Sequence, residues 1–481
     1  MSDIRTPLDT AATQKSSRKL RVWEVTALSV GFMGPVMAMA LNGIGVAGLV
    51  GKSVPFTFLL AFIGTLLVGY GFIRLTGYFS HAGSVYALAG ATIGPRAGFF
   101  GGFALLGTYL FFAACILGAT GVFFAAWAEE FGGFWAQIPW ILVALVVAVL
   151  VVILNIRESR IVTRVLFVIG VLGVLAMLVL AVVIFVRVGS GNGPVPGATI
   201  DLSTFLPGDA TAVGVMTASV FAFLSWAGFE SGSSLGEETE NPKRVIPRAL
   251  LGAIVVAGVL YTIMMFAQTI GYGTDEDGIA AFAGANSTVT SLSTIYIGRE
   301  YAMLVAFMAF IVAFASVLSS TAAAARLIYA LARDGFGPKR LGVANPKTKV
   351  PVAAVITTVI IAVVLAGGIA VFGGTAFDAY YWYATIATLC MVVAYGMTSV
   401  GVIVYVFRGK SRIPKWESIL PVLGLVYLAF VYAVQIIGQE APYTYFPWIA
   451  GAWCLLGAVI IIARPGLAQR IGGKLATEDL D

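Results

Sequence analysis

The sequence predicts an all-α integral membrane protein with twelve transmembrane helices. Three observations carry this reading. Hydrophobic residues make up 59% of the 481 residues and charged residues only 11%, with a mean hydropathy of +0.96, whereas soluble domains run about 45–50% apolar and about 25% charged. The apolar runs are continuous rather than alternating at period two, which excludes a transmembrane barrel. The basic residues fall in alternate loops, as in a multi-pass chain.

A helix needs about 20 apolar residues to cross about 30 Å of hydrocarbon. In order along the chain, such segments lie at 25–50, 56–78, 97–127, 136–155, 162–186, 211–235, 248–271, 300–331, 351–372, 378–407, 417–437 and 444–463. With the N-terminus placed in the cytoplasm, all of the 29 Lys and Arg except Lys52, Arg187 and Arg299 fall on the cytoplasmic side. The split predicts a cell (cytoplasmic) membrane protein with both termini inside. It also removes nucleic acid as a partner, because the net charge of +6 is spread over the loops as a topology signal. Met1–Arg21 is polar and lacks the apolar core of a signal peptide, so it reads as a retained tail. Cys115, Cys390 and Cys454 sit in apolar runs, without metal spacing or a disulfide framework, and read as packing residues. No metal or cofactor is expected.

Two spans are built to break. The first contains "SVGFMGPVMAMALNGIG", with Gly34 and Pro35 early in it; the sixth contains "LSWAGFESGSS", with Gly228 and Glu230. Proline lacks an N–H and clashes with the preceding turn, and glycine tolerates the unwound geometry that follows. The two segments stand at the start of consecutive five-span blocks. An odd number of spans per block would make the second block inverted relative to the first. The expected organisation is therefore a cytoplasmic tail (1–24), helices 1–5 (25–190), helices 6–10 (205–408), helices 11–12 (416–464) and a C-terminal tail (465–481). Discontinuous helices near the midplane are where transporters hold substrates and ions.

"FLSWAGFESGSSLGEETENPKRVIPRA" resembles the sixth-span signature of the amino acid–polyamine–organocation (APC) superfamily. "HAGSVYALAGATIGPRAGF" resembles its link between spans 2 and 3, and "AARLIYALARDGFGP" its eighth-span ending. The resemblance implies a LeuT-like fold of 5+5 inverted repeats plus two C-terminal helices, with helices 1 and 6 discontinuous. It implies a secondary transporter importing an amino acid by ion-coupled alternating access. The substrate carboxylate would meet free N–H groups among Gly34, Pro35, Val36, Met37 and Ala38. The amine would meet carbonyls near Phe223, Leu224 and Ala227. Trp226 would be an aromatic lid, and Tyr109 of span 3 would line the same cavity. The chemistry is sound, since helix N-termini attract anions and C-termini cations.

An acid within a span is costly and marks a functional position by default. For Glu230 three roles remain open: a gate hydrogen-bonding across the pathway, a proton carrier, or an N-cap for the second half-helix. The coupling ion is H⁺ or Na⁺. Proton-coupled members of the family carry a span 5 lysine at the place that falls on Gly170. Ser316, Ser319 and Ser320 are candidate Na⁺ ligands, because hard cations take oxygen; serine hydroxyls bonding back to their own helix are the alternative. Leu224 stands where some antiporters of cationic amino acids have tryptophan, and Met37 and Met39 suggest an adaptable apolar wall. Both favour neutral or apolar substrates. His81, the only histidine, reads as a loop residue.

Competing readings are an amino acid/amine exchanger or polyamine importer of the same fold, an integral-membrane enzyme, and a channel. The enzyme lacks intramembrane catalytic clusters, the channel lacks a filter or charged rings, and no phosphate-binding loop supports ATP drive. Expected partners are a small-molecule substrate and membrane lipid, with the chain a monomer or homodimer.

Overall fold

The computed structural model describes residues 19–79, 84–129, 131, 133–157, 160–346, 348–408, 413–437 and 439–470. His81 lies outside the described residues. The helices of the described chain are, in order, α1 (Val22–Met33), α2 (Pro35–Val50), α3 (Val54–Thr76), α4 (Ser84–Thr92), α5 (Pro95–Glu129), α6 (Trp140–Arg157), α7 (Arg160–Gly189) and α8 (Ala212–Leu224). After a ten-residue 3-10 segment, Phe229–Glu238, come α9 (Pro242–Tyr272), α10 (Glu276–Ala283), α11 (Thr288–Tyr296), α12 (Arg299–Arg333), α13 (Val352–Val371), α14 (Ala376–Phe407), α15 (Ile419–Val434) and α16 (Phe446–Ala463).

Among the described residues, ten helical stretches are long and apolar enough to cross a membrane, or eleven if α8 and the 3-10 segment are joined. The expected count was twelve. One stretch, Pro35–Thr76, is 42 residues long and holds both α2 and α3, separated by a 3-10 turn at Gly51–Ser53. The short α1 stands apart from it. The chain is a multi-pass membrane protein. Val146, Val186, Val364 and Ile462 are exposed on outward faces; in a bilayer such faces contact lipid, where in water they would drive aggregation. The short helices α4, α10 and α11 were not expected. The last two are set by polar caps: Asp275 accepts from the Gly278 N–H at 2.9 Å, and Ser287 from the Thr290 N–H at 3.4 Å.

Core helices α5 and α14 pack along each other, and α12, α13 and α16 pack on α5. One end of the bundle carries Arg21, Arg74, Arg157 and Arg333, and is called the basic end below. At that end the Arg74 guanidinium and the Tyr70 hydroxyl both donate to Glu417, tying α3 to the start of α15. Arg408 donates to the carbonyls of Thr92 (2.7 Å) and Ile93 (3.2 Å), fixing the end of α4 against the end of α14.

Candidate functional site

The site grows from two local breaks. Gly34 has φ +60° and ψ 59° and is at once the C-cap of α1 and the N-cap of α2, with Pro35 in the first position of α2. That left-handed geometry costs an L-residue roughly 1–2 kcal/mol and costs glycine little. On the partner segment, α8 stops at Leu224 and the chain passes through Gly228 at φ +97° before the 3-10 segment begins. The two pieces bend by about 40°.

These broken elements lie antiparallel and side by side. The Leu49 carbonyl is 3.4 Å from the place of a Cβ on Gly214. Asn42 Nδ2 donates to Ser225 Oγ at 2.8 Å. The Phe32 ring fills the space a Cβ on Gly228 would need, and Ser29 Oγ is 2.6 Å from that position on Gly232. At the basic end the Glu240 N–H donates to the Leu20 carbonyl at 3.0 Å. Both breaks therefore sit at one level of the bundle.

The free backbone groups are fewer than expected. The Gly34 N–H donates to the Gly31 carbonyl (3.2 Å), the Ala38 N–H to the Gly34 carbonyl (2.9 Å), and Pro35 has no N–H. On the other segment, the carbonyls of Phe223 and Leu224 accept from Trp226 (3.0 Å) and Ala227 (2.8 Å) in tight turns. The Ser225 and Ala227 carbonyls accept nothing from the described residues. So of the carbonyls expected to meet the amine only that of Ala227 stays open, and that of Ser225 is added.

Glu230 is 1% exposed. Tyr109 Oη of α5 donates to its Oε1 at 2.8 Å, and Tyr395 Oη of α14 donates to Oε2. Gly228, which has no side chain, is the N-cap of the 3-10 segment. The carboxylate thus joins three elements across the bundle, and it also meets the backbone N–H groups of Gly228 and Glu230 at the start of its own segment. Tyr109 also faces Phe32, ring centroids 6.2 Å apart. Sequence reading missed Tyr395, and nothing in "VVAYGMTSV" marks it out.

Trp226 is 1% exposed and turned into α3 and α9. Its indole stacks on Phe62 (6.2 Å, 3°), meets Tyr261 edge-on (5.1 Å, 74°) and donates from Nε1 to the Ile254 carbonyl at 3.3 Å. In this conformation it is a packing residue, not a cover over the break. Ser319 and Ser320 bond back to Ala315 (2.9 Å) and Val317 (3.2 Å) of their own helix. Ser316 alone reaches across, donating to the Phe32 carbonyl at the end of α1 at 3.3 Å. Val36 packs on α7, 3.0 Å from the place of a Cβ on Gly173.

A cavity of about 1720 Å³ runs from the basic end, at Lys19, Arg326 and Lys349, to Phe32 and Pro35 at the break, between α1, α6, α7, α12 and α13. Gly170 and Ser319 line it. Towards the opposite end the way is filled. Tyr380 Oη donates to Asn42 Oδ1 at 2.6 Å, Tyr381 Oη donates to the Leu41 carbonyl at 2.7 Å, and the Tyr381 and Phe221 rings meet edge-on at 5.4 Å.

The family model described as amino acid permease matches residues 20–460. A low-affinity putrescine importer (PlaP) of Escherichia coli is 27% identical over 341 residues, covering 70% of this chain and 72% of its own. A branched-chain amino acid permease (BcaP) of Lactococcus lactis is 24% identical over 484 aligned residues, covering 94% of this chain and 95% of its own. A methylthioribose transporter of Bacillus subtilis is 24% identical, covering 75% and 78%.

Proposed function

The chain belongs to the amino acid permease family, and on that premise we propose that it is a secondary transporter of small neutral, apolar amino acids. It works by alternating access in a LeuT-like arrangement of twelve spans, with α2 and α3 counted separately and α1 joined to α2. The basic end lies in the cytoplasm of a cell-membrane protein.

One observation carries the reading: the antiparallel broken helices bring the N-terminus of α2, which starts at Gly34-Pro35 without a side-chain cap, to the level where the Ser225 and Ala227 carbonyls are free. A zwitterion presents a carboxylate to that helix N-terminus and an ammonium to the carbonyls, and needs no ionised side chain. The 1720 Å³ cavity then serves as the cytoplasmic route, and the Tyr381–Phe221 contact as the closed outer side. Glu230 acts as the gate. Its two tyrosine bonds hold the second half-helix to α5 and α14, and a proton on the carboxylate would cost one of them. The proton reading of coupling is favoured over Na⁺, because only Ser316 of the three span 8 serines turns its hydroxyl away from its own helix.

The putrescine relative raises the alternative of an amine substrate. Among the described residues the buried carboxylates are Glu230, Asp334 and Glu417. Only Glu230 is beside the break, and both its oxygens already accept tyrosine hydroxyls. A dication would find no vacant carboxylate there, which supports the amino acid reading.

The test is uptake of radiolabelled L-leucine by proteoliposomes under an inward H⁺ gradient, an inward Na⁺ gradient, or internal leucine alone, with putrescine as competitor. Accumulation driven by the H⁺ gradient and indifferent to putrescine is expected. Putrescine uptake without leucine uptake would overturn the substrate assignment, and Na⁺-only drive would overturn the coupling.

A further inference from the structure

The cavity that leads to the break is larger than one amino acid needs. Its volume of about 1720 Å³ exceeds the roughly 300–1,000 Å³ of ordinary ligand pockets, so a solute at Pro35 leaves room at the mouth. Four ionised residues line the cavity: Lys19, Glu24, Arg326 and Lys349. The balance is net positive. Glu24 accepts from the Arg21 N–H at 2.8 Å. Lys19, Arg326 and Lys349 have no carboxylate partner among the described residues.

Basic residues at a cytoplasmic end are an ordinary topology signal. Two of these are placed beyond what topology needs. Arg326 stands two turns before the end of α12 at Arg333, about 10 Å along the helix. Ser319, two turns further in, lines the same cavity. Arg326 therefore lies inside the route and not at its rim. Lys349 has φ +60°, a left-handed backbone that lysine rarely adopts. A closed turn holds it there: the Lys349 N–H donates to the Asn345 carbonyl at 2.8 Å, and the Asn345 N–H to the Val350 carbonyl at 2.9 Å. Strain of this kind persists only where the surroundings over-determine it, and it clusters at ligand clamps and switches.

We propose that Lys19, Arg326 and Lys349 form an anion site in the mouth of the cavity, and that its ligand is a phosphate group. A planar guanidinium matches phosphate oxygens two at a time, and ammonium groups add point charge. A cleft walled by one sign of charge focuses its field and concentrates counter-ions. The zwitterion of the transport reading gains nothing here, because the cations that attract its carboxylate repel its ammonium. The phosphate comes either from the cytosol or from the headgroup of an anionic phospholipid, with the same chemistry in both cases. Bound, it stands between the basic end and the break and slows passage along the route. That consequence rests on the transport reading above; the binding does not.

The experiment uses the full chain in nanodiscs of phosphatidylcholine, or of phosphatidylcholine mixed with phosphatidylglycerol. The probe is inorganic phosphate, with sodium chloride of equal ionic strength as the reference. In phosphatidylcholine, phosphate should raise the thermal unfolding midpoint of the wild type by roughly 1–2 °C over chloride, since a ligand of the folded state stabilises by mass action. Arg326→Gln should abolish the rise. Lys349→Gly should abolish it too. Glycine adopts φ +60° without strain, so the midpoint of that variant in chloride should not fall below the wild-type value. A wild-type midpoint already raised by phosphatidylglycerol, lost in Arg326→Gln and raised no further by phosphate, identifies the headgroup as the source. An equal phosphate rise in both discs identifies the free anion. Both outcomes support the site. Matching midpoints in phosphate and chloride with no effect of phosphatidylglycerol, or variants that respond as the wild type does, would overturn it. Wild-type protein that responds to phosphate but takes up no leucine in proteoliposomes would overturn the transport reading alone.

Discussion

Tyr109 Oη donates to Glu230 Oε1 at 2.8 Å, joining a helix of the first five-span block to the break in the second. Tyr395 holds the other oxygen from α14. A carboxylate with both oxygens accepting is an oriented charge, and an amide in its place keeps only one acceptor. Losing one charge-assisted bond is worth about 1.5–3 kcal/mol. Glu230→Gln should therefore lower the turnover of leucine uptake by about tenfold or more, with leucine affinity in nanodiscs nearly unchanged. Wild-type turnover in that variant would remove Glu230 from the cycle.

The two tyrosines share one acceptor group, so their effects should not add. Tyr109→Phe and Tyr395→Phe should each lower the thermal unfolding midpoint. Their double variant should show a coupling energy of about 0.5–3 kcal/mol. Strict additivity would mean that the two bonds do not act as a unit.

The two glycines of the breaks differ in what surrounds them. At Gly34 a Cβ would meet the flexible Met37 Cε at 3.2 Å, so Gly34→Ala carries mainly the left-handed backbone cost of about 1–2 kcal/mol. At Gly228, φ is +97° and the Phe32 ring occupies the Cβ position. Gly228→Ala should be the more destabilising, and should depress uptake more, because Phe32 must leave the site. Equal unfolding midpoints for the two variants would contradict this packing.

Trp226 separates structure from binding. With its indole among Phe62, Tyr261 and the Ile254 carbonyl, Trp226→Ala should cost about 3–5 kcal/mol of stability. Trp226→Phe should recover much of that, and the KM for leucine should stay near the wild-type value in the folded fraction. A large KM rise without destabilisation would instead make Trp226 a cover over the substrate.

On the loop after α7, the Ser203 hydroxyl and N–H, with Lys52 at 3.3 Å, hold the Asp201 carboxyl below its usual range. A depressed folded value means that the bond stabilises the loop above the ordinary carboxylate range and is lost as pH falls through the lowered value. The carboxylate is solvent-accessible, so the gain is small. Hydrogen exchange around residues 201–205 should rise at acid pH in the wild type and already be raised at neutral pH in Asp201→Asn. Matching exchange profiles for the two proteins would dissociate the loop from this ion pair.

Composition and spacing by themselves determined the membrane class, most of the span limits and the place of both breaks. Each of these depends on local chain chemistry. Continuous apolar runs must hydrogen-bond internally as helices in lipid, and Gly34-Pro35 interrupts a helix wherever it occurs. The tertiary structure decided which backbone groups at the breaks stay open, because turns at Ser225–Ala227 consume the Phe223 and Leu224 carbonyls. It decided that Trp226 faces α3 and α9, since an indole settles where its N–H finds an acceptor and its ring finds aromatic neighbours. It also revealed Tyr395 as the partner of Glu230, 165 residues along the chain. Pairings at that separation depend on how helices pack, and no local pattern of residues encodes them.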